Sequence, residues 1–259
     1  MTALSIARLQ VKDEQRSFWR NRTAAFFTFA FPLLLVVIFG SLNRSTRITT
    51  LGPIHLSYTQ YYIPSMLTFG VMTACFVNVG IVLSIRRQNG ELKRIRGTPL
   101  RPWIFLAGVI GNALILSALL AATILGMGVI FFGVTVPHHG TAIALCLVVG
   151  TVSFCALGVA ATVLTMSASA EAATAVLNGV FFPAVFISGA FFPVSNASVL
   201  SKVAAALPVR HFITATFAAF DPRVHGMALH ITDLSIVIAW GLAGATAALR
   251  WFRWEPTRR

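Results

Sequence analysis

The sequence predicts an all-α integral membrane protein with six transmembrane helices, and three observations predict it. The 259 residues are 57% hydrophobic and only 10% charged, where a soluble domain would carry about a quarter charged residues. Six apolar runs are each long enough to cross a bilayer, which takes about 20 residues at 1.5 Å per residue. The charges are confined to the segments between those runs. A net charge of +13 raises the question of nucleic acid, but the cations lie between apolar runs and form no groove interleaved with aromatics. No nucleic-acid partner is expected; the lipid bilayer is.

Residues 1–22 carry Arg8, Lys12, Arg16, Arg20 and Arg22 against Asp13 and Glu14. Leu4, Ala7, Val11 and Phe18 recur at helical spacing, with Trp19 beside the last. The segment reads as an amphipathic helix in the headgroup layer, its apolar groups in lipid and its arginines among phosphates. A cleaved leader is not expected, because the charged region is long, contains acids and is followed by no small-x-small site.

The first span is expected over about 24–42, kinked at Pro32, which removes one backbone donor. A polar outer loop over 43–58 follows, with Arg44, Arg47, Gly52 and Pro53. The second span, about 61–85, opens on Tyr61 and Tyr62. It holds Gly70, Thr73, Asn78, Gly80 and Ser84, residue types that sit where membrane helices touch. The third is expected over about 103–134, the fourth over about 142–166 and the fifth over about 172–192. Pro137, His138, His139 and Gly140 make the turn before the fourth; Ser167, Ala168, Ser169, Ala170 and Glu171 connect the fourth to the fifth. Between the fifth and sixth spans lie two apolar pieces separated by Pro208, each too short to cross. They suit a re-entrant helical pair over about 198–220, the alternative being an amphipathic loop outside the membrane. The sixth span is expected over about 231–250, with Trp251 and Trp254 at the interface. The whole chain reads as a single membrane domain.

Charge sets the orientation. Five basic residues up to Arg22, six in the central segment 86–102 and four from Arg250 onward fall on one side. The other side has only Arg44, Arg47, Lys202, Arg210 and Arg223. A threefold bias over an even number of spans places both termini on the cytoplasmic side, and few lysines against many arginines suggest a bacterial genome, so a bacterial inner membrane is expected. The fourth-to-fifth connection is the weak point of this topology, because it contains no Lys or Arg.

Several chemistries are absent from the pattern. No GxxxxGK[ST] motif cradles ATP phosphates, so the chain itself is expected to bind no cofactor and to be no enzyme. His138 and His139 are adjacent and have no acid or third imidazole nearby, so no metal site is expected. Ser188-Gly189 has Phe186 where an intramembrane serine protease needs glycine, and the sixth span offers no histidine as base. Cys75, Cys146 and Cys155 all fall in apolar segments and read as small buried hydrophobes. The middle of every expected span is free of ionisable residues, each of which would cost roughly 2.5–3.5 kcal/mol there. Glu171 and Asp233 sit at span ends. An ion-coupled carrier would therefore lack its relay, and energy must enter from outside the membrane segment. Most of the 21 Phe are explained by lipid-facing packing, with an aromatic path for amphiphiles as the alternative.

The central segment carries the main functional signal. Arg86–Pro102 reads RRQNGELKRIRGTPLRP, with Glu91 as its only acid, a cationic surface on which another protein can push. Arg87, Gly90, Glu91, Leu92, Lys93, Arg94, Arg96, Thr98 and Pro99 resemble the pattern of type-two ABC exporter permeases of the daunorubicin-resistance kind: a basic-polar run, Gly-x-Leu, a basic cluster, then Thr-Pro-Leu. Ser188, Gly189 and Pro193, followed by Leu207-Pro208, resemble the same family's Ser-Gly-x-x-x-Pro segment and downstream Leu-Pro. The two motifs in this order make the resemblance span the chain.

The resemblance implies an efflux permease paired with a second copy or a paralogue and bound to two cytoplasmic ATPase subunits, which would hold ATP and Mg. It implies a substrate path between the permease halves, for drug-like, lipid or glycan-type molecules. It also places a motor-coupling helix in the segment matched by Gly90–Arg96 and an outer gate at the Ser188–Pro208 motif. Glu91 is left with two readings, a pairing with the motor or a cap on the loop helix. A non-transporting membrane partner of an ATPase is the alternative function.

Overall fold

The computed structural model describes residues 3–42, 47–48, 56–98, 100–134, 139–166, 168–191, 199–220 and 229–252. The chain is all-helical there, apart from a two-residue antiparallel pairing of Arg47–Ile48 with Leu56–Ser57. Among the described residues six helices are long and apolar enough to cross a membrane: Arg22–Leu42, Gln60–Gln88, Pro102–Phe132, Gly140–Ala161, Ala170–Ile187 and Ile231–Trp251. The shortest has 18 residues and reaches about 27 Å, close to the thickness of a hydrocarbon core. Val199–Ala206 and Pro208–Phe220 form a bent pair that meets at 86°. Six spans and a bent pair before the last are the architecture the sequence predicts. The rest of the polar loop over 43–58, His138 and the tail from Arg253 lie outside the described residues.

The second span is the centre of the bundle. Over its most apolar stretch 78% of residues are buried, against 22% for the first, fifth and sixth spans. Two helices have a widened turn. Pro32 cannot donate to the carbonyl four residues back, and the first span loosens into a π-helical turn over Phe26–Ala30 just before it. The second span widens over Thr73–Val77. There its backbone touches the fourth span: a Cβ on Gly158 would lie 2.8 Å from the Phe76 carbonyl oxygen and 2.9 Å from that of Cys75. Only glycine permits that approach. The sixth span lies along the fourth in the same way, where a Cβ on Gly241 would come within 2.8 Å of the Ser153 Cα.

The second span also runs past its expected end, staying helical through Gln88. Its last turn therefore carries Arg86 and Arg87, residues the hydropathy pattern assigns to a loop. The end of the bundle holding Arg86–Arg101, the N-terminal helix and the fourth-to-fifth connection is the basic end.

The N-terminal helix, Ala3–Arg20, also packs on protein along one face. Its stripe through Val11, Glu14 and Phe18 packs on protein, with Val11 over Gly111 of the third span and Glu14 and Phe18 both only 6% exposed. Trp19 stacks on Phe29 with ring centroids 5.4 Å apart. Leu4, Leu9 and Trp19 remain exposed, together with Arg8, Lys12 and Arg16. The amphipathic pattern thus serves two surfaces: the inward apolar face docks on the third span, and only the outer residues are free for lipid.

Candidate functional site

The basic end is assembled from the last turn of the second span outward. Gln88 and Asn89 close that helix, and Gly90 takes a left-handed conformation, φ 71°, which costs glycine little and turns the chain into a new helix. That helix is Glu91–Arg96, with Glu91 in its first turn and Lys93, Arg94 and Arg96 at its last, the charge order that suits a helix dipole. Its faces differ sharply. Leu92 is fully buried, whereas Lys93, Arg94, Arg96 and Thr98 are exposed. Thr98 closes the turn after the helix by donating to the Ile95 carbonyl at 2.6 Å. Pro99 lies outside the described residues. The result is a short cationic ridge anchored through one leucine.

Arg86 and Arg87 do not belong to that ridge. Arg87, read from the sequence as part of an exposed loop, is 1% exposed. Its guanidinium donates to the Thr162 carbonyl at 3.0 Å and to the Thr165 carbonyl at 2.9 Å. These belong to the turns that end the fourth span, where carbonyls lack helical partners and the dipole is negative. Ser84 and Thr165 share a hydroxyl hydrogen bond at 3.0 Å beside it, and Gln88 donates to the Ala168 carbonyl. The missing cation of the fourth-to-fifth connection is therefore supplied in space by the second span. Arg86 turns the other way and grips Glu14 of the N-terminal helix with two bonds, 2.6 and 3.0 Å long. Both partners are largely buried, with side chains 14% and 7% exposed. Glu91 stands 3.8 Å from Arg86 and stays half exposed. Its position opens the loop helix, and Arg86 is its ion-pair partner within the chain. One helix turn thus ties the central span to the N-terminal helix on one side and to the fourth-to-fifth connection on the other.

The second sequence motif lies at the opposite end. Ser188 is buried and donates to the Ala184 carbonyl at 2.6 Å. Gly189 ends the fifth span with φ 88°, and its carbonyl accepts the Tyr61 hydroxyl at 2.6 Å. Pro193 lies outside the described residues. Leu207 is the break in the bent pair, and Pro208 begins its second limb, the helix position that tolerates a missing N–H. His211 holds the bend. Its Nε2 is 2.8 Å from the Ala205 carbonyl of the first limb, and its Nδ1 is 2.6 Å from Asp233 of the sixth span. His230 shares the same carboxylate at 2.9 Å.

A groove opens between the first, second and fifth spans. It has a volume of about 480 Å³ and is lined by Phe27, Phe31, Phe69, Phe181 and Phe182, with Asn78 at one side. Several of the phenylalanines assigned to lipid-facing packing therefore face one shared cleft.

Pattern reading missed Glu14, the Thr162 and Thr165 carbonyls and the His211–Asp233–His230 cluster. Glu14 did carry a signal, since it falls on the apolar stripe Val11–Phe18, where an acid is expected only with a buried partner. The carbonyls carry none, because any residue supplies them.

Six spans, a charge-built basic end and a bent pair before the last span define a multi-pass membrane protein. Residues 8–220 match the family described as ABC-2 type transporter. The chain belongs to that family, as a membrane subunit of an ABC transporter. It is also similar to the "Probable multidrug ABC transporter permease YbhR" of Escherichia coli strain K12. The two are 24% identical over 190 residues, 72% of this chain and 48% of the relative. The protein of that name from Escherichia coli O157:H7 matches to the same extent. The chain thus spans about half the length of the curated relatives it matches.

Proposed function

We propose that the chain is the permease subunit of an ATP-driven exporter and that the ridge Glu91–Arg96 is where a separate ATPase pushes. The observation that carries this reading is the joint behind the ridge. Leu92 seats it, while Arg86 and Arg87 bind the same turn of the central span to two other parts of the bundle, the N-terminal helix and the fourth-to-fifth connection. A push on the ridge therefore moves the second span, the N-terminal helix and the fourth-to-fifth connection together. The long third span, starting at Pro102, follows through a short linker.

In this reading the basic end and both termini face the cytoplasm of a bacterial inner membrane, in line with the charge bias. ATP and Mg belong to the partner ATPase. Closure of the ATPase pair drives the permease only if the closed motor binds one arrangement of the spans better than the other. A second permease copy or a paralogue completes the path, along the Phe-lined groove between the first, second and fifth spans. The multidrug description of the Escherichia coli relatives favours a drug-like amphiphile over a glycan as cargo. The gate on the far side would be the bent pair, hinged at Leu207-Pro208 and held by His211.

The test is to isolate the tagged chain from its native membranes in mild detergent and assay for a co-purifying ATPase. The comparison chain has residues 90–96 replaced by a neutral linker of equal length. ATPase activity with the first and not with the second is the expected result. A properly inserted native chain that carries no ATPase would remove the energy source and contradict the reading.

A further inference from the structure

At the end away from the cationic ridge, three side chains meet beside the break in the bent pair. The His211 ring lies between two acceptors, with Nε2 2.8 Å from the Ala205 carbonyl and Nδ1 2.6 Å from the Asp233 carboxylate. His230 takes the other carboxylate oxygen through its own Nδ1, at 2.9 Å. Ala205 lies in the last turn of the first limb, Val199–Ala206, where carbonyls lack helical partners, so its oxygen depends on an N–H from His211. That fixes a proton on Nε2. A contact of 2.6 Å between Nδ1 and a carboxylate oxygen then needs a second proton between them. A neutral ring would turn its lone pair on the carboxylate. His230 makes no such demand, because a neutral imidazole protonated at Nδ1 donates to Asp233 and is satisfied. The cluster as built therefore holds one proton more than two neutral imidazoles and a carboxylate.

That proton fastens a lightly held element. The second limb buries Val209, Phe212, Ile213, Ala215 and most of its other residues in the bundle. The first limb buries only Ser201 and Ala204, and leaves Val199, Leu200 and Val203 exposed. His211 joins the two limbs across their 86° bend through Ala205, and ties the pair to the sixth span through Asp233. The His211 and Asp233 side chains are each 15% exposed and that of His230 is 56% exposed, so water reaches the cluster. The other cations of the pair are Lys202 on the first limb and Arg210 beside His211, and His139 stands at the start of the fourth span. The second and fifth spans bring no charged group or histidine to this end among the described residues.

We infer that His211 and Asp233 form a proton-operated latch, which holds the first limb to the second limb and the sixth span while the extra proton is bound, and frees it when the proton leaves. Histidine is the side chain that ordinarily changes charge between about pH 5 and pH 8. The hold is therefore strongest at the acid end of that range and is lost as the pH rises. On the orientation that the charge bias favours, the latch faces the outer side, and the external medium sets it. The inference concerns the bent pair itself and stands or falls apart from the export function.

The test is amide hydrogen exchange on the full chain in phosphatidylcholine nanodiscs at about pH 5.5 and about pH 8, the two ends of the histidine range. Exchange is expressed as protection, so that its intrinsic pH dependence cancels. Protection over 199–206 should be about tenfold higher at the acid pH, the worth of one hydrogen bond to a charged group. Protection over the second span, 60–88, should not change. His211→Gln keeps an amide donor but binds no extra proton, and should give equal protection at both pH values. Asp233→Asn should do the same, because its amide can donate to Nδ1 of the neutral ring; it supplies the answer if the His211→Gln chain does not fold. His230→Gln should keep the difference. Equal protection over 199–206 at the two pH values in the wild type would overturn the inference. So would higher protection at the alkaline pH, a difference that survives in His211→Gln or Asp233→Asn, or its loss in His230→Gln. A change shared equally by the second span would be a general effect of pH on the fold and would overturn it too.

Discussion

The cationic run of the central segment divides into two parts with opposite fates. Arg86 and Arg87 are turned into the protein, one gripping a buried carboxylate and the other two helix-end carbonyls. Six residues beyond Arg87, Lys93 begins a set with Arg94 and Arg96 that faces outward from a helix seated by Leu92. The same residue types, a few positions apart, form a strut in the first case and an exposed ridge in the second. Burial decides which. A cation taken out of water must find acceptors or be expelled, so the inner pair is fixed in geometry. The outer three are solvated, contribute little to folding and are free to meet a partner.

The largest effect expected from breaking this contrast is on Arg87. Arg87→Ala leaves the Thr162 and Thr165 carbonyls without a donor and should cost about 2–4 kcal/mol in detergent unfolding. Arg87→Lys should recover only part of the loss, because an ammonium cannot fork across two carbonyls. Full recovery would mean that charge alone matters there. The Glu14–Arg86 pair comes next. A double-mutant cycle with Glu14→Gln and Arg86→Gln should show a coupling of about 1–3 kcal/mol. Amide exchange in the N-terminal helix should rise in each single variant. A coupling near zero would reduce the pair to packing.

At the far end the corresponding fastening is lighter. Asp233→Asn keeps the shape but weakens the acceptor shared by His211 and His230, and should cost about 1 kcal/mol. The exposed loss should appear as faster amide exchange confined to 199–220. Stability loss equal to that of Arg87→Ala would erase the difference between the two ends. Neutralising the exposed ridge as Lys93→Gln, Arg94→Gln and Arg96→Gln should have the smallest effect on folding, with no measurable change in Tm.

Most of the fold was legible in the sequence because the bilayer imposes a simple code. Apolar runs of bilayer length give the six spans, and Pro208 between two short apolar pieces gives the bent pair. Helix boundaries were less legible, since hydropathy falls at Arg86 although the helix continues through Gln88. The backbone keeps its bonds there because Arg86 and Arg87 find partners on other elements, and no local pattern reports that. The N-terminal helix shows the same limit. Its stripe predicts an apolar face, but whether that face meets lipid or protein depends on Gly108 and Gly111 lying opposite it on the third span. Glu14 was the clue within the stripe. The small cavity lined by Asn21, Asn78 and Asn112 was not legible at all, because Asn21 caps the first span while the other two lie on the second and third, and they converge only in space.

The measurement that bears most directly on the divided run is ATPase capture by the Lys93→Gln, Arg94→Gln, Arg96→Gln chain beside the wild type, with Tm recorded for both. Wild-type Tm with loss of the ATPase is the predicted result, placing the motor contact on the exposed ridge and the strut behind it. Retained ATPase at wild-type Tm would put the contact elsewhere on the basic end. A lowered Tm would show that the ridge cations hold the fold, contradicting the division.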